Sequence, residues 1–203
     1  MFDGRLRPII DPPLNALGRR LARRGVSADA VTLLGLALGL GCAGAVAFGQ
    51  DGIALALLAA SRLCDGLDGA IARATGPSDR GGFLDITCDF AFYGAVPLAF
   101  ALRDPGFALP AAALLFSFYV NGASFLAFAI MAAKRGLTTR QRGAKSLYFT
   151  AGLAEGGETI ACFAAMMLWP ALFPVLATGF AALTLVTALS RSILAWKTFT
   201  TTP

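Results

Sequence analysis

The chain has 203 residues, 57% hydrophobic and only 14% charged, with mean hydropathy +0.69 and a net charge of +5. A soluble domain carries about a quarter charged residues, so this composition excludes a soluble globular protein and points to an integral membrane one. It has no histidine, which removes His-based acid–base work and His-ligated zinc, and its four cysteines are scattered without a C-x-x-C pair and read as small buried hydrophobes.

Residues 1–29 are polar and basic, without the early apolar core of a signal peptide. Within them PLNALGRRLARR sets Leu14, Leu17 and Leu21 at helical spacing, with Arg19, Arg20, Arg23 and Arg24 on much of the remaining surface. This predicts an amphipathic helix on an anionic membrane surface. Six apolar stretches follow, at about 30–49, 52–73, 82–102, 107–133, 147–169 and 172–195, each long enough for a hydrocarbon core of about 30 Å. Runs this continuous exclude a transmembrane barrel, whose strands alternate over about 10 residues. The expected fold is therefore all-α: one polytopic membrane domain over 1–203, with six transmembrane helices in 30–195 after an interfacial helix.

The junctions GQDG and RDPG are short turns on one side, while ATGPSDRGG (74–82) and KRGLTTRQRGAKS (134–146) lie on the other. Fifteen of the seventeen Lys and Arg then fall on the side of the termini and the longer linkers, Arg191 and Lys197 among them. Arg103 stands alone opposite, and Arg62 is inside the second span. The positive-inside rule makes that basic side, with both termini, cytoplasmic. Membrane orientation accounts for the basic residues, so they give no reason to invoke nucleic acid. The Ala/Gly/Arg-rich composition and compact loops fit a bacterial inner membrane.

The stretch DGLDGAIARATGPSDRGGFLDITCD, residues 65–89, sets two carboxylate pairs at the cytoplasmic end of spans two and three. Asp65 and Asp68 are three apart, Asp85 and Asp89 four apart, so each pair shares a helix face. A short linker makes the spans antiparallel neighbours, and the pairs can face each other. An Asp deep in a membrane helix costs about 2.5–3.5 kcal/mol, and clustered carboxylates repel. A divalent cation relieves both, and oxygen-only ligands suit Mg²⁺, Mn²⁺ or Ca²⁺. Gly66, Gly69, Ala70 and Ala72 thin the helix for close packing or ligand approach, and Arg73 is placed to bind a phosphate.

The order D-x-x-D-G-x-x-A-R then G-x-x-x-D-x-x-x-D resembles the signature of the CDP-alcohol phosphatidyltransferases. Here it is Asp65, Asp68, Gly69, Ala72, Arg73, Gly81, Asp85 and Asp89, every fixed position matched, with seven residues between Arg73 and Gly81 where about eight are expected. GVSADAVTLLGL at 25–36 is similar to the family's start of span one, with Ala28-Asp29 in place of its usual Pro-Asn. The resemblance implies a CDP-alcohol donor, usually CDP-diacylglycerol, attacked by the hydroxyl of an acceptor alcohol with release of CMP. It implies one or two Mg²⁺ or Mn²⁺ ions on Asp65, Asp68, Asp85 and Asp89, with Asp89 also the general base. Gly69, Ala72, Arg73 and Gly81 would line the CDP-alcohol pocket, with Thr32 contacting the nucleotide. A homodimer is implied as well.

Glu155 and Glu158, three apart in LAEGGETIA, either line the acceptor pocket, pair with Arg62, or form an ion pair between spans. Arg142 and Lys145 either hold a phosphorylated acceptor or are loop charges. Aromatic runs in spans three and four read as packing or lipid-facing, and Asn121 and Ser124 as cavity-facing or hydrogen-bonded between helices. Competing readings are a Mg²⁺-dependent membrane prenyltransferase, distinguished by pyrophosphate as leaving group, a divalent-cation transporter, and a family member that only binds lipid.

Overall fold

The computed structural model describes residues 3–137 and 156–200. They form seven helices: α1 Asp3–Arg23, α2 Ala28–Ala47, α3 Asp51–Thr75, α4 Asp79–Arg103, α5 Ala108–Lys134, α6 Gly156–Leu168 and α7 Phe173–Thr200. No strand occurs among the described residues, so the all-α expectation holds. The helix ends follow from local chemistry. Ser27 and Ser78 cap α2 and α4 by accepting the Ala30 and Gly81 amides at 3.2 and 3.1 Å. Gly49 takes φ +72°, which lets the Gln50 amide reach back to the Ala45 carbonyl at 2.8 Å and turns the chain into α3 within GQDG.

Four helical stretches are long and apolar enough to cross a membrane: α2, α4, α5 with the 3₁₀ turn before it, and α7 with its own. Helix α3 has 25 residues but carries Arg62 at its middle and Asp65, Asp68 and Arg73 in its second half. The described part of α6 has 13. These two account for the difference from the six spans expected.

Helix α2 packs on both α3 and α4, which touch each other far less. The expectation that α3 and α4 are neighbours across one shared interface is therefore corrected: α2 lies against both. Its contact face carries Gly35-x-x-x-Gly39. A Cβ on Gly35 would stand 3.2 Å from Cys64 Cβ of α3, and one on Gly39 2.7 Å from the Phe92 ring of α4. Small residues at this spacing let helices approach in a bilayer, where lipid is as apolar as the core and association rests on packing. An aromatic core begins at this contact: Phe92 meets Phe163 edge-on at 5.9 Å, and Phe100 stacks on Phe173 at 4.2 Å. Phe116 and Tyr119 of α5 are exposed, so the aromatic runs divide into packing and outward-facing residues.

Helix α1 packs on the second half of α3. The contact turns on Gly18, where a Cβ would lie 2.7 Å from Ala70 Cβ and 2.8 Å from the Ala70 carbonyl carbon. Leu14 fits against Gly66, where a Cβ would lie 2.9 Å from Leu14 Cδ1. Leu17 of the expected apolar stripe stays exposed.

Two arginines make contacts that the charge count does not convey. Arg103, the one basic residue on its side, donates from Nη1 and Nη2 to Asp51 Oδ1 and Oδ2, the latter at 3.1 Å, tying the end of α4 to the start of α3 at the pole opposite the aspartates. Arg103→Met is expected to lower stability by about 1 kcal/mol, read as a fall in the thermal midpoint in detergent. Asp51→Asn should add little on top of it, and full additivity would show that the pair contributes nothing. Arg191, counted with the C-terminal charges, is buried on α7. Its Nη1 donates to the Asn121 carbonyl (3.0 Å), Asn121 Oδ1 (2.8 Å) and Ser124 Oγ (2.9 Å) of α5. Asn121 and Ser124 thus make interhelical hydrogen bonds.

Candidate active site

The carboxylates converge because α3 and α4 run in opposite directions along the same helix, α2. One carboxylate oxygen from each of Asp65, Asp85 and Asp89 lies within 4.8 Å of the others. Asp68 lines the same cavity, together with Thr32, Gly35, Leu36, Arg62 and Cys88. Asp68 is buried and accepts a 2.6 Å hydrogen bond from the Thr32 hydroxyl, so α2 orients a side chain of α3. Asp85 is exposed at the rim, while Asp65 and Asp89 are half-buried between them.

The donor set is all carboxylate oxygen. Mg²⁺ takes oxygens at about 2.1 Å and Ca²⁺ at about 2.3–2.6 Å, so ligands of one ion lie within about 4–5 Å of each other. The observed spacing fits a hard divalent cation.

Arg62 enters this cluster. Its Nη1 is 3.2 Å from Asp89 Oδ1 and 3.6 Å from Asp65 Oδ1, and its Nη2 donates to Ser61 Oγ at 3.2 Å. The guanidinium also lies over the Phe92 ring, 4.6 Å from its centroid. Sequence reasoning left Arg62 as an isolated charge in a span or as a partner for the glutamates. The signal that could have found it is its position one turn before Asp65, on the same face.

The other signature residues lie around the cavity rather than in its lining. Arg73 folds back over Gly69, where a Cβ would stand 3.2 Å from Arg73 Nη1. Its Nε and Nη2 donate to Asn15 Oδ1 of α1 at 3.1 and 2.9 Å. Ala72 is half-buried beside it. Gly81, in the first turn of α4, is close to Asp29, which pairs with Arg80 and joins the starts of α2 and α4. Asn15 and Asp29 were not foreseen. Of the acceptor candidates, Glu158 is in the first turn of α6, while Arg142, Lys145 and Glu155 lie outside the described residues.

A family model described as CDP-alcohol phosphatidyltransferase matches residues 26–201. The inner membrane protein YnjF of Escherichia coli (strain K12) is 43% identical over 192 residues, covering 94% of this chain and 93% of that protein. The archaetidylinositol phosphate synthase of Pyrococcus horikoshii is 36% identical over 86 residues, 42% of this chain and 46% of that protein. The crystal structure of Mycobacterium tuberculosis phosphatidylinositol phosphate synthase (PgsA1) with CDP-DAG bound has the same fold, with TM-score 0.70 at 23% identity over 90% of this chain and 93% of that one. The same enzyme in complex with manganese and citrate superposes with TM-score 0.69 at 23% identity, over 90% of this chain and 88% of that one. With the matched model spanning nearly the whole chain, and every fixed position of the signature set around one carboxylate cluster, this membrane protein belongs to the CDP-alcohol phosphatidyltransferase family and is a transferase.

Proposed function

We propose that this protein transfers a phosphatidyl group from CDP-diacylglycerol to the hydroxyl of an acceptor alcohol and releases CMP. The observation that carries this is the convergence of Asp65, Asp85 and Asp89, with Asp68 in the same cavity, from two helices that share a packing partner. Membership of the family counts against the prenyltransferase and cation-transporter alternatives. Asp65, Asp68, Asp85 and Asp89 would hold one or more divalent cations, Mg²⁺ or Mn²⁺. Such an ion supplies neutralisation of the donor's diphosphate and of the charge that builds up during transfer.

The chain's own residues do the rest. Asp89 takes the proton from the acceptor hydroxyl as its oxygen bonds to the phosphorus carrying the diacylglycerol. The bond from that phosphorus to the bridging oxygen breaks, and the oxygen leaves with CMP. Thr32 keeps Asp68 turned into the cavity. Arg73, exposed beside Gly69 and Ala72, faces the donor's phosphates from the α1 side, and Gly81 keeps the start of α4 slim where the nucleotide lies. Glu158 and Glu155, with Arg142 and Lys145, are the acceptor-side candidates. The whole chain acts as one domain, as a homodimer, in a bacterial inner membrane with the carboxylates and both termini on the cytoplasmic side. The basic residues of α1 and of the 134–146 loop support that orientation.

The test is CMP release by the purified protein in detergent with CDP-diacylglycerol, Mg²⁺ or Mn²⁺, and one acceptor at a time. The panel includes serine, glycerol 3-phosphate and inositol phosphate. Metal-dependent release with one acceptor names the product. If no CDP-alcohol yields CMP with any acceptor, the reading fails.

A further inference from the structure

We propose that the Arg62 guanidinium is a built-in cation of the carboxylate cluster, standing where a second divalent ion would otherwise bridge Asp65 and Asp89, so that the substrate-free protein takes one divalent ion. The inference rests on the reading of the cluster as a metal site. Four aspartates bring four formal negative charges to one cavity, and Arg62 is the basic side chain that lines it. Its Nη1 reaches Oδ1 of Asp89 and of Asp65 from a single position, so a cation already sits between a carboxylate of α3 and one of α4.

The arginine is not free to swing away. Its Cζ lies over the ring of Phe92, which is fully buried and held against Gly39 of α2. Its Nη2 bonds to Ser61 Oγ, and that hydroxyl donates to the Gly35 carbonyl at 2.8 Å. The same two glycines that bring α2 against α3 and α4 therefore fix the arginine as well. A guanidinium is a planar donor with a permanent charge, suited to holding two carboxylates in a set geometry. Asp85 has no side-chain hydrogen bond among the described residues, and Oδ2 of Asp65 and of Asp89 is likewise uncommitted. Those oxygens, with Asp68, remain for one hard ion. A second ion would compete with Nη1 for Oδ1 of both Asp65 and Asp89.

The experiment counts ions, not turnover. Mn²⁺ is titrated into the purified full-length protein in detergent without lipid substrate, and free Mn²⁺ is followed by electron paramagnetic resonance. Arg62→Gln and Arg62→Lys are compared with the unaltered chain, and elution volume confirms that each is folded. The unaltered chain and Arg62→Lys should each bind one Mn²⁺ per chain, and Arg62→Gln two. Because Lys keeps the charge but loses the planar fork, its match to the unaltered chain assigns the effect to charge at this position rather than to packing. Equal counts in the unaltered chain and Arg62→Gln, or two ions in the unaltered chain, would overturn the inference while leaving the metal site standing. No Mn²⁺ binding that Asp68→Asn can abolish would overturn the metal reading itself, and this inference with it.

Discussion

Asp89→Asn is expected to lower metal-dependent CMP release by about 10²–10⁴-fold, the range for loss of a positioned general base. The substitution keeps shape and polarity while removing the charge and the proton-accepting oxygen. Asp89 is half-buried on α4, and its contact with Arg62 is shared with Asp65, so the guanidinium keeps a carboxylate partner and the fold is expected to hold. Binding of CDP-diacylglycerol should fall much less than turnover, because Asp65, Asp68 and Asp85 remain to hold the ion. The measurement is a paired one: single-turnover CMP release, and equilibrium binding of the donor. A drop below tenfold in turnover would remove Asp89 from the role of base. A parallel loss of donor binding would mean that its part in holding the ion, and not proton transfer, accounts for the fall.

Gly18→Val is expected to undock α1. The added Cβ meets the backbone of Ala70 as well as its side chain, and a backbone atom on a packed helix cannot turn aside as a flexible side chain can. Overpacking of this kind typically costs about 1–3 kcal/mol. Here the strain is relieved by moving α1 off α3, at the expense of the Leu14 contact and the Asn15–Arg73 hydrogen bonds. Trypsin should then cut at the Arg19–Arg24 cluster several-fold faster, and the thermal midpoint should fall. Arg73 would lose its anchor, so the KM for the CDP-lipid should rise more than kcat falls. Unchanged cleavage and an unchanged midpoint would mean that α1 is held elsewhere.

The aspartates were legible because carboxylates are costly in an apolar stretch, and their offsets of three and four fixed which of them share a face. Most spans were legible from the length of their apolar runs. Helix α3 was harder, because its chemistry interrupts the hydropathy that marks a span. What sequence spacing could not convey was which helices touch. A short linker between α3 and α4 argued for direct packing, yet the Gly35 and Gly39 face draws both onto α2. Its G-x-x-x-G spacing was present to be read, but nothing in the sequence named its partners. The Asn15–Arg73 contact joins residues 58 positions apart, and its only trace in the chain is two polar residues of ordinary type. Arg191 looked like one more basic residue near a terminus until the tertiary fold set it against Asn121 and Ser124.

Helix α2 contributes no carboxylate to the cavity, yet the two helices that do are each seated against it, so it acts as the gauge block of the cavity. The span between the oxygens of α3 and α4 is set by how deeply each helix beds into a glycine notch, and one added carbon at residue 35 or 39 would widen it. The size of ion that the cluster grips is therefore governed in part by positions that supply no carboxylate. Related chains could retune that grip through α2 alone, with all four aspartates unchanged.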